Sequence, residues 1–288
     1  MTMTANKAVP GIDDQEIAVS APAANTDRYL VALDVDGTLV DHDGNMTGSV
    51  RDAAAAVVDA GHEIVIATGR SLGAMLPVVE RIGMLRGYGV CSNGGVTVRL
   101  DPSLEHGFEV VERVTFSPRA ALTTLRDKIP GARFALEDAD GNFLSTSRFQ
   151  DASFGIEARG VDFHHLLDAR AVRVVVNSAE ASTEEFSAAI AAAGLHGVTY
   201  AVGWSAWLDI AAAGVTKATA LEKLRAGMGI EPARTVAVGD GSNDIEMLRW
   251  AGRGVAMGQA GADVLAAADE IAASVYDDGA AAVLRSLL

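Results

Sequence analysis

The feature that most limits the possible folds of this chain is a set of short apolar runs that each end in polar residues. The runs occupy residues 29–33, 63–67 and 235–238. The first two runs lead directly into Asp34 and Thr68, and the third leads through Gly239 into Asp240. A short apolar run that opens into a polar loop is typical of a buried strand in a parallel sheet. Helically spaced apolar residues separate the runs, so we predict an α/β fold with a Rossmann-like doubly wound parallel sheet.

The pattern changes in the middle of the sequence. Between about residue 98 and residue 211, candidate strands and helices are interrupted by Gly, Asp and Asn, as in a separate α+β unit. We therefore predict a core domain made of residues 28–97 and 212–288, and a large cap domain inserted at residues 98–211. Residues 1–27 are rich in Ala, Pro, Asp and Thr, and we expect them to form a flexible leader.

The charge of the chain restricts its partners. Lys and Arg number 23 against 38 Asp and Glu, which gives a formal net charge of −15. Such a surface repels nucleic acids and anionic membranes, so we expect neither as a partner. A single cysteine, Cys91, excludes an internal disulfide framework, and the start of the chain lacks the features of a secretory signal. These observations predict a cytoplasmic protein, and they carry no signal of its oligomeric state.

Oxygen donors are concentrated where the predicted strands end. They are Asp34, Asp36, Asp240, Asn243 and Asp244. Carboxyl ends of parallel strands meet at one edge of a sheet, which is where ligands bind in such folds. Oxygen ligands without His or Cys favour Mg²⁺ over zinc. Closely packed carboxylates also repel one another unless a divalent cation lies among them, so the pattern predicts a magnesium site.

A hydroxyl and a cation accompany these donors. Thr68 ends the second strand, and Lys217 opens the predicted helix that precedes the third strand. Together with Mg²⁺ they could neutralise the oxygens of a phosphoryl group in the transition state. A spare carboxylate would also allow covalent catalysis. Arg70 has two interpretations at this stage, as a helix cap or as a phosphate contact.

These residues resemble the four ordered motifs of phosphatases in the haloacid dehalogenase (HAD) superfamily. The matching segments are Asp34-Val35-Asp36-Gly37-Thr38, Thr68-Gly69-Arg70, Lys217 and Gly239-Asp240-Gly241-Ser242-Asn243-Asp244. The Ser92-Asn93-Gly94-Gly95 turn before the insertion resembles more narrowly the Cof-type, subfamily IIB-like branch. The resemblance implies a hydrolase, and specifically a phosphatase, with a Rossmann-like core and a large cap.

The resemblance also implies roles for individual residues. Asp34 would attack phosphorus, and Asp36 would protonate the leaving oxygen and later activate water. Thr68 and Lys217 would hold the phosphoryl group.

For the metal, the resemblance implies that Asp34 and Asp240 bind Mg²⁺ directly and that the Asp36 carbonyl contacts it. Asn243 and Asp244 would be further ligands or would orient the others. Asn93 and Gly94 would reach the substrate phosphate.

We therefore expect a Mg²⁺-dependent phosphatase that hydrolyses small phosphorylated metabolites, above all sugar phosphates, through a phospho-aspartate. A cap that closes over the site excludes bulk water and macromolecules. We expect its cationic and aromatic residues to contact the leaving group, with candidates Arg148, Arg159, Arg173, Trp204 and Trp207. Two alternatives use the same residues: a phosphosugar mutase or other phosphotransferase, and a catalytically silent metabolite-binding protein.

Overall fold

The structure, a computed structural model, describes residues 28–147, 157–203 and 206–288. The predicted leader, residues 1–27, lies outside these ranges, as do Arg148 and Trp204. No described helix is long and apolar enough to cross a membrane.

Fourteen strands are assigned in the described part of the chain. They are β1 (Leu30–Leu33), β2 (Glu63–Ala67), β3 (Gly87–Cys91), β4 (Val96–Leu100), β5 (Phe108–Arg113), β6 (Arg133–Asp138), β7 (Phe143–Ser145), β8 (Arg159–Gly160), β9 (Ala171–Asn177), β10 (Val198–Val202), β11 (Trp207–Ala212), β12 (Thr235–Gly239), β13 (Arg253–Ala256) and β14 (Glu270–Ile271).

The α-helices of the same ranges connect these strands. They are α1 (Gly48–Asp59), α2 (Leu72–Ile82), α3 (Arg119–Lys128), α4 (Phe163–Asp168), α5 (Thr183–Ala193), α6 (Lys217–Gly227), α7 (Ile245–Trp250), α8 (Ala262–Leu265) and α9 (Gly279–Arg285). Local sequence explains several of their starts. The hydroxyls of Thr47, Ser71, Ser182 and Thr216 each accept a hydrogen bond from a backbone N–H in the first turn of a helix.

The first sheet contains eight strands in the order β14-β13-β12-β1-β2-β3-β4-β5. The pairings from β14 to β3 are parallel, which confirms the predicted Rossmann-like core. Helices cover both faces. Val57 of α1 and Leu284 of α9 pack in one apolar cluster, and Leu221 of α6 and Leu248 of α7 pack in the other.

The sheet is mixed rather than wholly parallel, which corrects one expectation. The β3–β4 and β4–β5 pairings are antiparallel. The turn at Ser92–Gly94 reverses the chain directly after β3, so β4 returns beside it as a hairpin. Residues 98–113, assigned to the cap from sequence, therefore lie largely in the first sheet.

The second sheet has six strands in the order β10-β11-β9-β6-β7-β8. Helices α3, α4 and α5 cover one face, where Leu125, Leu166 and Phe186 join the buried cluster. Along the sequence, the last strand of this sheet is β11, which extends to Ala212, one residue beyond the expected boundary at 211. The division into leader, core and inserted cap stays a prediction.

Candidate active site

Two aspartates leave neighbouring strands at the same edge of the first sheet. Leu33 of β1 lies opposite Val238 of β12, and the backbone N–H of Asp34 donates to the Val238 carbonyl at 3.0 Å. The parallel pairing therefore extends one residue past β1. It brings Asp34 and Asp240 together, and the two residues are only 5% and 4% exposed.

Lys217 joins two carboxylates at this edge. Its Nζ donates to Asp34 Oδ1 and to Asp244 Oδ1, each at 2.6 Å. The lysine is the first residue of α6 and is 1% exposed. The other oxygen of Asp244 accepts from the backbone N–H groups of Asp240 and Gly241 at 3.1 and 2.9 Å. The loop after β12 is thus held closed around Asp244.

Burial and mutual repulsion shape the acidity of these groups. Burial raises the pKa of Asp34 well above its usual value, and the Asp244 carboxylate adds to this although Lys217 opposes it. Burial and Asp244 raise the pKa of Asp240 to about 6. Burial alone would lower the pKa of Lys217, but the carboxylates of Asp244 and Asp34 outweigh it and raise that pKa.

This set of residues fits a divalent cation. Oxygens of Asp34, Asp240 and Asp244 lie within 4.8 Å of one another, and all three side chains are buried. Three carboxylates with one ammonium leave a net negative charge that costs free energy in a buried pocket unless a cation balances it. Hard oxygen donors of this kind suit Mg²⁺.

Asp36 lies apart from the cluster. Its carboxylate forms a bidentate ion pair with Arg70, accepting hydrogen bonds from Nε at 2.9 Å and from Nη2 at 2.6 Å. The Asp36 side chain is 60% exposed. Arg70 therefore contacts a predicted catalytic carboxylate, in addition to the Ala74 carbonyl of α2 at 3.5 Å. Neither of its two sequence interpretations included this contact.

The remaining predicted residues surround the Ser92–Gly94 turn. Asn93 Oδ1 accepts from Asn243 Nδ2 at 2.9 Å, and the backbone N–H of Asn93 donates to the Thr68 carbonyl at 3.1 Å. Gly94 has φ 100°, and a Cβ there would lie 2.2 Å from the Thr216 carbonyl oxygen. Only glycine allows this close approach to the start of α6. The turn thus contacts the loop after β2, the loop after β12 and the start of α6.

Gln259, which follows β13, was missed by sequence reasoning. Its Nε2 donates to the Gly37 carbonyl at 2.6 Å and to Asp240 Oδ2 at 3.3 Å, while its Oε1 accepts from the Val275 N–H. Gln259 therefore orients Asp240. Its position after another parallel strand was the available signal, because that is where the other site residues occur.

A cavity of about 230 Å³ lies between the two sheets. The first-sheet segments contribute Asn93, Lys217 and Asn243, and the second sheet contributes Arg173, Tyr200 and Asp209. Of the candidates for leaving-group contacts, Arg173 is therefore at the cavity. Arg159 lines a different cavity, together with Thr146 and His165.

The cations at this cavity are paired with carboxylates. Arg173 Nε donates to Asp209 Oδ1 at 2.5 Å, and Trp207 Nε1 donates to Asp209 Oδ2 at 3.0 Å. Of the candidate residues, Trp207 thus contacts the cavity indirectly, through its hydrogen bond to Asp209. Among the described residues that line the cavity, the cationic side chains are Arg173 and Lys217.

The family model for haloacid dehalogenase-like hydrolases matches residues 31–284. The chain belongs to this family. A phosphoglycolate phosphatase of Methanoculleus marisnigri is 31% identical to this hydrolase over 252 residues, which cover 86% of this chain and 92% of the relative.

Solved structures agree. A HAD subclass IIB sugar phosphatase has a TM-score of 0.76 at 24% identity, covering 90% of this hydrolase and 100% of that chain. A HAD phosphatase from Bacteroides thetaiotaomicron has a TM-score of 0.72 at 26% identity, covering 93% and 97%. These findings confirm the Cof-type resemblance and the fold, and they show that the hydrolase is a phosphatase that acts on a small phosphorylated substrate.

Proposed function

We propose that this phosphatase hydrolyses small phosphate monoesters, with sugar phosphates as the substrate class, through a phospho-aspartate formed at Asp34. The observation that carries the proposal is the buried group of Asp34, Asp240 and Asp244 with Lys217, which also lines the cavity between the sheets. A carboxylate nucleophile beside a cation is one arrangement that supports covalent phosphoryl transfer.

We place the metal among the same oxygens. Asp34, Asp240 and the Asp36 carbonyl would hold Mg²⁺, with Asn243 and Asp244 as further ligands or as groups that orient the others. When bound, Mg²⁺ would supply positive charge opposite the phosphoryl oxygens.

In the first step an Asp34 carboxylate oxygen attacks phosphorus, and the bond from phosphorus to the ester oxygen breaks. The leaving oxygen takes a proton from Asp36 and departs as an alcohol. Asp36 must turn from Arg70 towards the ester for this, since in the structure its carboxylate pairs with that guanidinium. Lys217 and the Thr68 hydroxyl, with Asn93 and the Gly94 backbone, hold the other phosphoryl oxygens.

In the second step the Asp36 carboxylate takes a proton from water. The oxygen of that water attacks phosphorus, and the bond to Asp34 breaks. Inorganic phosphate leaves, while Asp34 is again a carboxylate and Asp36 is again protonated.

The cavity supports a neutral, hydroxyl-rich leaving group. Arg173 is already neutralised by Asp209, so a second anionic group on the substrate would find no unbalanced cation among the described lining residues. Hydroxyl groups, by contrast, could donate to the Asp209 carboxylate. This favours a sugar phosphate over a substrate whose leaving group carries a carboxylate, such as phosphoglycolate. We assign this selection to the cap and the chemistry to the core.

Trapping the covalent intermediate tests the proposal. Acid quenching during turnover of ³²P-labelled p-nitrophenyl phosphate should leave label on the protein that hydroxylamine removes, as expected for an acyl phosphate. Peptide mapping should place it at Asp34. Asp43→Asn, a change in an exposed aspartate of the same loop region, is the matched control and should label normally.

Absence of hydroxylamine-sensitive label in an active preparation would refute the covalent scheme. Product analysis with a sugar phosphate addresses the mutase alternative, because a mutase would yield an isomerised sugar phosphate in place of free phosphate.

A further inference from the structure

The turn that carries Asn93 has an unfavourable backbone conformation. Ser92, Asn93 and Gly94 have φ angles of 50°, 55° and 100°, so three consecutive residues lie in the left-handed region. Ser and Asn pay a steric penalty there that glycine does not. Such a conformation persists only when surrounding groups enforce it.

Backbone contacts from the site enforce part of this conformation. The N–H of Ser92 donates to the Arg70 carbonyl at 2.8 Å, and the N–H of Asn93 donates to the Thr68 carbonyl at 3.1 Å. Both acceptors belong to the loop after β2. The turn is therefore fastened on the side of the first sheet.

The side-chain contact of Ser92 comes from the second sheet. Ser92 Oγ donates to Glu137 Oε2 at 2.6 Å, and Glu137 Oε1 accepts from Arg113 Nη1 at 3.2 Å. Glu137 is 2% exposed and belongs to β6. A buried hydrogen bond to a carboxylate is stronger than one between neutral groups, because the charge assists it. This bond joins the two sheets at the residue next to Asn93.

Glu137 also lies beside a residue of the cavity wall. It lies opposite Arg173 in the β6–β9 pairing, and Arg173 binds Asp209 of β11. Charged side chains on one face of three adjacent strands thus run from the cavity to the Ser92–Gly94 turn. The arrangement connects the surface that contacts a leaving group to the residue that contacts the phosphoryl group.

We propose that Glu137 is a positioning residue. By binding Ser92 it holds the strained turn in the conformation that points Asn93 at the phosphoryl group, and it ties this conformation to the Arg173–Asp209 wall. The inference rests on the proposed role of Asn93 in binding phosphate. Nothing in the motif pattern marks Glu137, because it lies 45 residues from Ser92 in the chain.

A double-mutant cycle tests the inference in the full-length enzyme. Ser92→Ala removes the bond without altering any charge, and Glu137→Gln weakens it by removing the charge. Each should lower kcat/KM for p-nitrophenyl phosphate by about tenfold and weaken inhibition by inorganic phosphate in parallel. In an Asn93→Ala background, neither change should have a further effect, because each acts through Asn93.

Glu63→Gln is the matched control. Glu63 is a largely buried carboxyl at the opposite end of the first sheet, paired with Arg28, and its replacement should leave kcat/KM unchanged. Thermal unfolding of each variant verifies that it is folded. If Glu137→Gln does not fold, Ser92→Ala alone is sufficient to test the inference.

The outcomes separate the inference from the function on which it rests. Losses that simply multiply with that of Asn93→Ala, or full activity in Ser92→Ala, would overturn the positioning role alone. Full activity in Asn93→Ala would overturn both that role and the phosphate contact assigned to Asn93.

Discussion

The acidic edge of the first sheet and the cavity-facing side of the second sheet handle charge differently. At the edge, the carboxylates of Asp34, Asp240 and Asp244 lie close together, and the one ammonium there, that of Lys217, pairs with Asp34 and Asp244. In the second sheet, Arg173 is paired with a carboxylate from the next strand, Asp209.

An unbalanced buried negative charge costs free energy but attracts a metal ion, which when bound would supply positive charge to a reacting phosphate. A balanced pair can only select among ligands by the hydrogen bonds that it offers. The contrast supports the proposed division, with chemistry at the edge of the first sheet and recognition in the second sheet.

The largest expected effect lies at the unbalanced edge. Asp34→Asn should reduce turnover by more than about a hundredfold with every substrate, because an amide cannot attack phosphorus. Steady-state assays and circular dichroism would check activity and fold together, with Asp43→Asn as the control. A clean preparation that kept more than about a hundredth of wild-type activity would remove Asp34 from the chemistry.

Metal removal should come next in size. EDTA should abolish activity, Mg²⁺ should restore it and Mn²⁺ should substitute, whereas Ca²⁺ should inhibit because its looser coordination sphere misplaces nucleophile and phosphate. Mg²⁺ should also raise the unfolding temperature of the wild type but not of Asp240→Asn, a readout independent of turnover. Full activity in EDTA, or recovery with Zn²⁺ alone, would refute the proposed magnesium site at the edge of the first sheet.

The smallest effect should distinguish the two regions most sharply. Asp209→Asn should lower kcat/KM for a sugar phosphate such as glucose 6-phosphate by about tenfold while sparing p-nitrophenyl phosphate, which scarcely needs the cavity. Lys217→Ala should instead depress turnover of both substrates equally, because the lysine is proposed to hold the phosphoryl group that they share.

Matched controls exist for both variants. Lys223→Ala changes a lysine on the same helix that pairs with Glu112, and Asp168→Asn changes an exposed aspartate of α4. If Asp209→Asn lowered both substrates alike, the second sheet would take part in the chemistry and the proposed division would be wrong.

Local patterns were sufficient to predict much of the core. The apolar runs before Asp34, Thr68 and Asp240 are buried strands in the structure, and parallel pairing places Asp34 and Asp240 at one edge. These predictions succeeded because strand burial and the end of a strand depend on residues close together in the chain. The same patterns also carried the family resemblance.

The antiparallel continuation of the first sheet was not predictable in this way. Residues 96–100 and 108–113 form β4 and β5, but the local pattern of a strand does not state which strand is its partner. The partner depends on the conformation of Ser92, Asn93 and Gly94, which turns the chain back beside β3. The sequence predicted a turn at Ser92-Asn93-Gly94-Gly95, but a turn signal does not state that the chain returns into the same sheet.

The contacts between distant segments depend on the folded chain alone. The motifs in the linear sequence already indicated the strand ends, the oxygen donors and Lys217, because each of these signals is contained in a short segment of the chain. Packing between segments far apart in sequence determines three contacts of the site. Asp36 binds Arg70, Gln259 orients Asp240, and Glu137 holds Ser92. Side chains meet across such distances only after sheet order and register are set, and no local spacing encodes that meeting.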